Sequence, residues 1–411
     1  MNNSAVYLDH AATTTLNPVA QAAMLEEYAH TGNPSSLHGA GRRAHRVVDE
    51  ARTTIAQTLS AHPSEVIFTS GGTESDNLAL KGLYWSRRDA DPSRRKILIS
   101  GIEHHAILDT AEWLESHEGA ELVWMPVDRE GRLDVSAAAQ LLEQHADELA
   151  VATLMWANNE VGTIQPVAEF AALAAAHRVP VHTDAVQAYG AIPVDFAASG
   201  AATLAVSAHK IGGPVGIGAL LVRRDVTLTP VQHGGGHERK MRSGTMNAVA
   251  AAGFAAAAHD AWQGLEEYSR TLVTLRDMAV ERITEQIPEA TLNGPADTGG
   301  CAQRLPGNLH FSFPGCEGDS LLFVLDMLGI ASSTGSACTA GVPQPSHVLL
   351  AMGRDARQAR SVQRFTLGHS TSAADIEALV KALPEAYQRA KKAGMAADQS
   401  SIHTAGTGFN R

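Results

Sequence analysis

The chain has few cysteines and no excess of positive charge, and each shortage argues against a class of protein. Only Cys301, Cys316 and Cys338 occur among 411 residues, and no two of them form a Cys-x-x-Cys pair. Such a sparse, odd set does not build a disulfide framework and is typical of a reducing cytoplasm. The formal net charge of −12 argues against nucleic acid as a direct partner, because phosphate backbones are bound by basic faces.

Long apolar runs are missing as well. No stretch approaches the roughly 18–20 apolar residues of a transmembrane helix, and the first residues lack the basic and apolar regions of a signal peptide. A hydrophobic content of 44% and a charged content of 18% are those of an ordinary globular chain. We therefore expect a cytoplasmic protein without membrane contact, with two domains or one large one.

Short apolar runs alternate with amphipathic stretches over residues 18–260. This alternation predicts an α/β fold with a mostly parallel sheet between helices. The predicted strands are Glu65–Thr69, Lys96–Ser100, Glu121–Met125, Leu149–Leu154, Val179–Thr183 and Ala202–Val206, and the predicted helices are Glu74–Leu83, His105–Ser116, Val135–Gln144 and Val167–His177.

The pattern changes after a predicted connecting helix near residues 262–287. Strands at Asn308–Phe313 and Gln363–Leu367 and a helix at Ser320–Leu328 predict a smaller α+β domain. The expected organisation is therefore a large domain at 18–260 and a small domain from 1–17 and 261–393. Residues 394–411 are small and polar and are expected to form a flexible tail.

The stretch Ser207-Ala-His-Lys210 follows a predicted buried strand and precedes a glycine-rich turn at 211–218. A lysine amine at such a strand end can form a Schiff base with an aldehyde, which is how pyridoxal phosphate is anchored. The alternative is an ordinary solvated surface lysine. Motifs elsewhere in the chain are needed to choose between these two interpretations of Lys210.

Three other strand ends carry groups that this cofactor would need. Ser70-Gly-Gly-Thr73 opens a helix and could bind a phosphate through backbone N–H groups, or it could be a simple glycine turn. Asp184 could pair with a pyridinium nitrogen or cap a helix, and Gln187 could hydrogen-bond the ring hydroxyl. His104 could stack on a flat ring and carry protons.

Taken in order, these motifs resemble the cysteine desulfurases, pyridoxal-phosphate enzymes of fold type I in the class V aminotransferase group. The resemblance runs from Tyr7 to about Leu383 and is closest to the NifS- and IscS-like branch. Its motifs are Tyr7–Thr13, Gly32–His38, Phe68–Ser75, Glu103–Ala106, Asn158–Pro166, His182–Gln187, Ser207–Lys210, Gly234–Arg239, Arg242–Thr245, Ser336–Cys338 and Arg364–Gly368.

The resemblance implies a role for each matching residue. Lys210 would be the Schiff-base lysine and the base for the substrate α-proton. Thr245 would reach the phosphate of the other subunit, which implies a homodimer. The remaining assignments are Asp184 to the ring nitrogen, Gln187 to the ring oxygen, His104 to ring stacking and catalysis, Gly72, Thr73, Ser207 and His209 to the phosphate, and Asn159 and Arg364 to the substrate carboxylate.

Cys338 lies in a small, polar, proline-broken segment at 332–346, which predicts a mobile surface loop with an exposed thiol. Cys301 and Cys316 are expected to be small buried hydrophobes instead. The resemblance makes Cys338 the residue that takes sulfur from L-cysteine as a persulfide and passes it to an acceptor. The acceptor would be an iron–sulfur scaffold or a tRNA-thiolation protein. No resident metal is expected, although Cys338 is a candidate transient ligand of an iron–sulfur cluster.

The sequence departs from the family at Val362-Gln-Arg364, at His369 and at Trp156, and these positions leave local packing open. The leading interpretation is an L-cysteine desulfurase. A selenocysteine lyase or an aminotransferase is a second, and a non-catalytic sulfur carrier on an inactive enzyme fold is a third. Lys210, Asp184, Thr73 and Arg364 weigh against the carrier, because a carrier needs none of them.

Overall fold

The computed structural model describes residues 6–335, 338–339 and 342–404, with the backbone alone at 338–339, 342–343 and 394–404. Among these residues, no helix is both long and apolar enough to cross a membrane. The helices are α1 Pro18–Tyr28, α2 Gly39–Thr58, α3 Gly72–Ala90, α4 His105–Glu118, α5 Val135–His145, α6 Val167–Ala176, α7 Phe196–Ser199, α8 Ala248–Gln286, α9 Gly318–Met327, α10 His347–Ala351 and α11 Ala373–Thr404.

A seven-stranded sheet forms the centre of the larger part of the molecule. Its strand order is β2-β8-β7-β6-β5-β3-β4, and only β8 runs antiparallel to its neighbours. Helices α2 to α6 flank this sheet, so the expected α/β architecture is confirmed. The strands are β2 Val66–Thr69, β3 Lys96–Ser100, β4 Glu121–Met125, β5 Leu149–Thr153, β6 Val181–Asp184, β7 Thr203–Ser207 and β8 Gly218–Val222.

The smaller part contains an antiparallel sheet of order β14-β10-β9, packed against α9 and α11. Strand β1, near the N-terminus, pairs in parallel with β11, which brings the first residues of the described chain into the smaller part. The remaining strands are β1 Val6–Tyr7, β9 Thr291–Leu292, β10 Asn308–Ser312, β11 Ile330–Ala331, β12 Cys338–Thr339, β13 Val342–Pro343 and β14 Val362–Thr366.

Helix α8 links the two parts and belongs to both buried cores. Its first half, from Ala250 to Ala261, packs into the core under the large sheet. Its second half, from Leu272 to Ile283, packs into the core of the smaller sheet. The domain boundaries themselves stay a prediction.

Several element boundaries were predicted wrongly, and three of them have a clear physical reason. Helix α8 begins at Ala248 instead of near residue 262, because its first turns are almost all alanine and glycine and show no apolar periodicity. Strand β6 begins at Val181 instead of Val179, after Pro180, which has no N–H to donate to a ladder. The backbone is also helical to Thr404, so α11 covers part of the predicted tail, whose first residues include the good helix formers Met395, Ala396 and Ala397.

Candidate active site

The carboxyl ends of the parallel strands enclose a cavity of about 230 Å³. Strand β2 leads into Gly72 and Thr73, β3 into His104, β6 into Asp184 and Gln187, and β7 into Ser207, His209 and Lys210. Ligands of open α/β sheets bind at this edge, because loops from several strands converge there. The structure therefore brings together nine of the predicted site residues: Gly72, Thr73, His104, Asn159, Asp184, Gln187, Ser207, His209 and Lys210.

Lys210 is held by the N-terminal segment. Its Nζ donates a hydrogen bond to the carbonyl of Ala11 and another, at 2.8 Å, to the carbonyl of Ala12. Burial and the nearby Arg364 guanidinium lower the Lys210 pKa to about 8. A lysine with such a pKa is partly neutral near neutral pH, which suits a nucleophilic amine and a proton acceptor.

Asp184 is buried at the end of β6, and one carboxylate oxygen accepts a hydrogen bond from the Val186 N–H at 2.8 Å. This bond closes a turn and not a helix cap, because no helix begins between β6 and α7, and the residue lines the cavity. Burial raises the Asp184 pKa, while His104 and Lys210 act in the opposite direction. A carboxylate in this position needs a cationic partner, and a protonated ring nitrogen would supply one.

The N-terminus of α3 has the features that a phosphate group would need. Gly71 has a φ of 154°, and the helix starts at Gly72 without a side-chain cap. Ser207 Oγ lies nearby, buried and without a hydrogen-bond partner in the described part of the chain. Unpaired N–H groups, the helix dipole and a free hydroxyl together fit a phosphate dianion.

The only acidic residue in the first turn of α3 does not oppose that phosphate. Glu74 accepts hydrogen bonds from the Ser70 N–H at 2.6 Å and from Arg242 Nε at 2.7 Å. Its charge is therefore paired, and the Arg242 pair also ties the 233–245 loop to the helix. Thr245, in the same loop, is exposed and does not line this cavity.

Two histidines face the cavity. Burial of both rings disfavours their charged forms. It lowers the pKa of His104, and it lowers the pKa of His209 to about 4. His104 Nδ1 accepts a hydrogen bond from the Ala106 N–H at 3.1 Å, which fixes the ring at the start of α4. Both rings are therefore neutral near pH 7 before any anion is bound.

Arg364 lies beside the cavity and is held from two sides. It donates to the Asn159 carbonyl at 2.8 Å and to Asp9 Oδ1 at 2.9 Å, while its Nε is buried and has no hydrogen-bond partner among the described residues. Gln363, the unexpected polar residue in β14, is fully buried and donates to Ser332 Oγ at 2.7 Å. The family departure at this position is thus partly accommodated: the amide nitrogen is hydrogen-bonded, while the buried Oε1 has no partner among the described residues.

The segment that contains Cys338 is held by hydrogen bonds at both of its ends, at Ser333 and at Ser346 and His347. Ser333 forms a two-way backbone bridge with Arg364. At the other end, the Ser346 hydroxyl donates to the buried carboxylate of Glu160, and His347 Nε2 contacts the Glu103 carbonyl at 2.9 Å. The backbone of Cys338 pairs with that of Pro343, while the Cys338 side chain and residues 336–337 and 340–341 of the predicted loop lie outside the described residues.

The other two cysteines differ in burial. Cys316 is 3% exposed, contacts the Phe313 carbonyl and has its pKa raised to about 12 by burial, so the prediction of a buried hydrophobe is confirmed. Cys301 is only partly buried, at the edge of the large core. No cluster that could hold a metal occurs among the described residues.

Several site residues were missed from the sequence. Asp76 and Met155 line the cavity, and His182 Nε2 lies 3.1 Å from Asp76 Oδ1 beneath it. Asp76 lies three residues after Thr73 in α3, so helical spacing could have indicated it. Asp9, the partner of Arg364, had no comparable signal.

Residues 6–379 match the family model of class-V aminotransferases. The chain belongs to that family. It is 53% identical over 395 residues to an IscS-like cysteine desulfurase from Mycobacterium tuberculosis, covering 96% of this chain and 99% of the relative. It is also similar to a solved NifS-like protein, at 33% identity and a TM-score of 0.84, covering 93% of this chain and 98% of the other. A structure titled SspA in complex with cysteine matches at 30% identity and a TM-score of 0.75, over 88% and 98% of the two chains.

The cofactor of this family is pyridoxal 5′-phosphate, and the residues present fit it. The cavity offers a lysine amine, a buried carboxylate, a neutral ring-stacking histidine and an orphaned hydroxyl at a helix N-terminus. Asp184 would hold the ring nitrogen, Gln187 the ring oxygen, and Gly72, Thr73, Ser207 and His209 the phosphate. The individual residue roles stay predictions.

Proposed function

We propose that this chain is a cysteine desulfurase that removes sulfur from L-cysteine, releases L-alanine and holds the sulfur as a persulfide on Cys338. The observation that carries the proposal is the convergence of Lys210, Asp184 and Ser207 in one cavity beside Arg364. The named relatives and the cysteine complex of a structural neighbour support the substrate.

The cofactor, when bound, supplies an electron sink that weakens the Cα–H and Cβ–S bonds of the substrate. Arg364 and Asn159 would hold the substrate carboxylate, since a guanidinium fork matches that group. Lys210, with its lowered pKa, would take the proton from Cα. His104, neutral and fixed by the Ala106 N–H, would cover the ring face.

The sulfur step then belongs to Cys338. Its thiolate attacks the substrate Sγ, a sulfur–sulfur bond forms, and the Cβ–Sγ bond breaks with its electron pair left on Cβ. A proton taken up at Cβ completes the methyl group of alanine, so no external oxidant or reductant is consumed. The persulfide can then transfer its outer sulfur to an acceptor thiol.

We also propose a homodimer in which Thr245 of each subunit serves the other subunit's phosphate site. Thr245 is exposed and outside its own cavity, and helix α1 presents Val19, Leu25 and Tyr28 at 45%, 62% and 69% exposure. Apolar side chains on one helix of a soluble protein are typical of an interface. Sedimentation of the holoenzyme should give twice the chain mass of 43.3 kDa, and the mass of a single chain would contradict this arrangement.

The acceptor and the compartment are proposals of the same kind. The name IscS among the relatives favours an iron–sulfur scaffold over a tRNA-thiolation protein. A persulfide carrier needs its thiols kept reduced, which, with only three cysteines in the chain, favours the cytoplasm.

The test is the release of alanine and sulfide from L-cysteine in the presence of a thiol reductant. Lys210→Ala should lose both products. Cys338→Ala should lose sulfide release, while Cys301→Ala, the matched cysteine control, should keep the wild-type rate. Full activity of Cys338→Ala would refute the persulfide role and favour a lyase, such as a selenocysteine lyase, that needs no enzyme thiol.

A further inference from the structure

A second cavity, of about 310 Å³, lies in the smaller part of the molecule. It opens where strand β10 ends and where the segment 354–361 leads into β14. None of the residues named so far as cofactor or substrate ligands lines it. Its volume is within the range of small-molecule pockets.

The lining of this cavity is rich in hydrogen-bond donors and contains two cations. Arg354 and Arg357 contribute guanidinium groups, and Thr291, Ser312 and Ser361 contribute hydroxyls. None of the described residues that line it is acidic. The chain has a net charge of −12, but the described lining of this cavity has two arginines and no carboxylate. The cavity is therefore locally positive, which favours an anionic ligand.

Arg354 carries the argument because one of its nitrogens lacks a partner. Its Nε is buried and makes no hydrogen bond to any described residue. A buried N–H of a charged group that stays unpaired costs free energy, and such groups normally have a protein, water or ligand partner. Asp355, the nearest acid in sequence, is occupied by the Gln358 N–H at 2.8 Å and does not line the cavity.

The walls of the cavity are held in place by the backbone. Ser312 pairs with Val362 across the two strands, and the Phe313 N–H donates to the Ser361 carbonyl at 2.7 Å. The Arg354 N–H donates to the Leu349 carbonyl at 2.9 Å, which anchors the start of the segment. The backbone that carries Ser312, Ser361 and Arg354 is therefore fixed without a ligand.

We propose that this cavity is a binding site for the phosphate or carboxylate group of a small anionic molecule, with Arg354 as the main charged contact. Arginine suits both groups, because its planar fork can donate two parallel hydrogen bonds to one oxyanion. The Thr291 hydroxyl adds a donor on the same lining, whereas the Ser361 hydroxyl donates to the Arg357 carbonyl at 3.1 Å and the Ser312 hydroxyl to Asn293 Oδ1 at 3.3 Å.

The test measures binding of pyrophosphate and of citrate to the holoenzyme by calorimetry, with the active site saturated with pyridoxal phosphate so that its phosphate site is filled. At least one probe should bind saturably. Arg354→Gln should weaken it about tenfold or more, since a charged hydrogen bond is worth about 1.5–3 kcal/mol. Arg354→Lys keeps the charge, so its affinity for the probe should lie between those of the wild type and Arg354→Gln. Thr291→Val should weaken binding less than Arg354→Gln does.

The matched control is Arg389→Gln, which removes an exposed arginine from a surface pair with Glu385 in α11. It should leave binding unchanged. Tight binding of pyrophosphate alone would identify a phosphate ligand, and of citrate alone a carboxylate ligand. Absence of saturable binding of both probes, or equal binding by wild type and a folded Arg354→Gln variant, would overturn the proposal.

Discussion

Three consecutive residues other than glycine have left-handed backbone conformations in the loop that carries Thr245. The φ angles of Glu238, Arg239 and Lys240 are 44°, 56° and 62°. A left-handed conformation costs an L-residue about 1–2 kcal/mol, and glycine is free of that cost. Against this gain, glycine loses more backbone entropy on folding than other residues do, which costs about 0.4–1 kcal/mol. The difference leaves a net gain, so Lys240→Gly should raise the free energy of unfolding by about 0.5–1 kcal/mol.

Lys240 is the suitable position because its side chain is exposed, whereas the carboxylate of Glu238 is buried against Arg52. The assay is the denaturant midpoint of the holoenzyme at fixed protein concentration. The matched control is Lys381→Gly, the same chemical change at an exposed position inside α11, which should destabilise by about 1 kcal/mol. If both variants were destabilised alike, the left-handed strain inferred at Lys240 would be refuted.

Three further variants test other parts of the structure. A Cβ at Gly368 would collide with the His10 ring. Gly368→Ala should therefore lower the free energy of unfolding by about 1–3 kcal/mol, measured by thermal or denaturant unfolding. The double variant with His10→Ala should recover most of this loss. The His310 ring is fully buried, and burial lowers its pKa from 6.5 to about 3. Between these two pH values the unfolded chain binds a proton that the folded chain does not, so stability falls by up to about 1.4 kcal/mol for each unit by which the pH is lowered. His310→Asn should flatten that slope, and an unchanged slope would exclude this ring as its source. Asp184→Asn should weaken cofactor retention, seen as faster loss of the absorbance of bound pyridoxal phosphate on dialysis; retention equal to wild type would contradict a charge pair with the ring nitrogen.

The sequence was most informative where local pattern and topology agree. The predicted bounds of the strands Lys96–Ser100 and Glu121–Met125 match the structure, since each is a short apolar run followed by a turn or a helix cap. The convergence of His104, Asp184 and Lys210 was also predictable, because the carboxyl ends of parallel strands meet at one edge of a sheet.

Contacts between distant parts of the chain could not be predicted in the same way. The pair between Asp9 and Arg364 joins residues 355 positions apart, and no periodicity or spacing indicates it. The carbonyls of Ala11 and Ala12 that hold Lys210 are backbone atoms, which leave no trace in residue identity. Similarly, the role of Gln363 became clear only from its hydrogen bond to Ser332.

The fixed attachment of Ser333 to Arg364 sets a limit on where sulfur can be delivered. Cys338 is five residues beyond that attachment, and a fully extended chain spans at most about 3.3–3.6 Å per residue. The Cα atom of Cys338 can therefore lie at most about 17 Å from Ser333, beside Arg364, the predicted ligand of the substrate carboxylate. Under the proposed mechanism, an acceptor protein would have to bring its sulfur-receiving atom to within this distance plus the length of the Cys338 side chain, so we expect it to dock over the mouth of the active site.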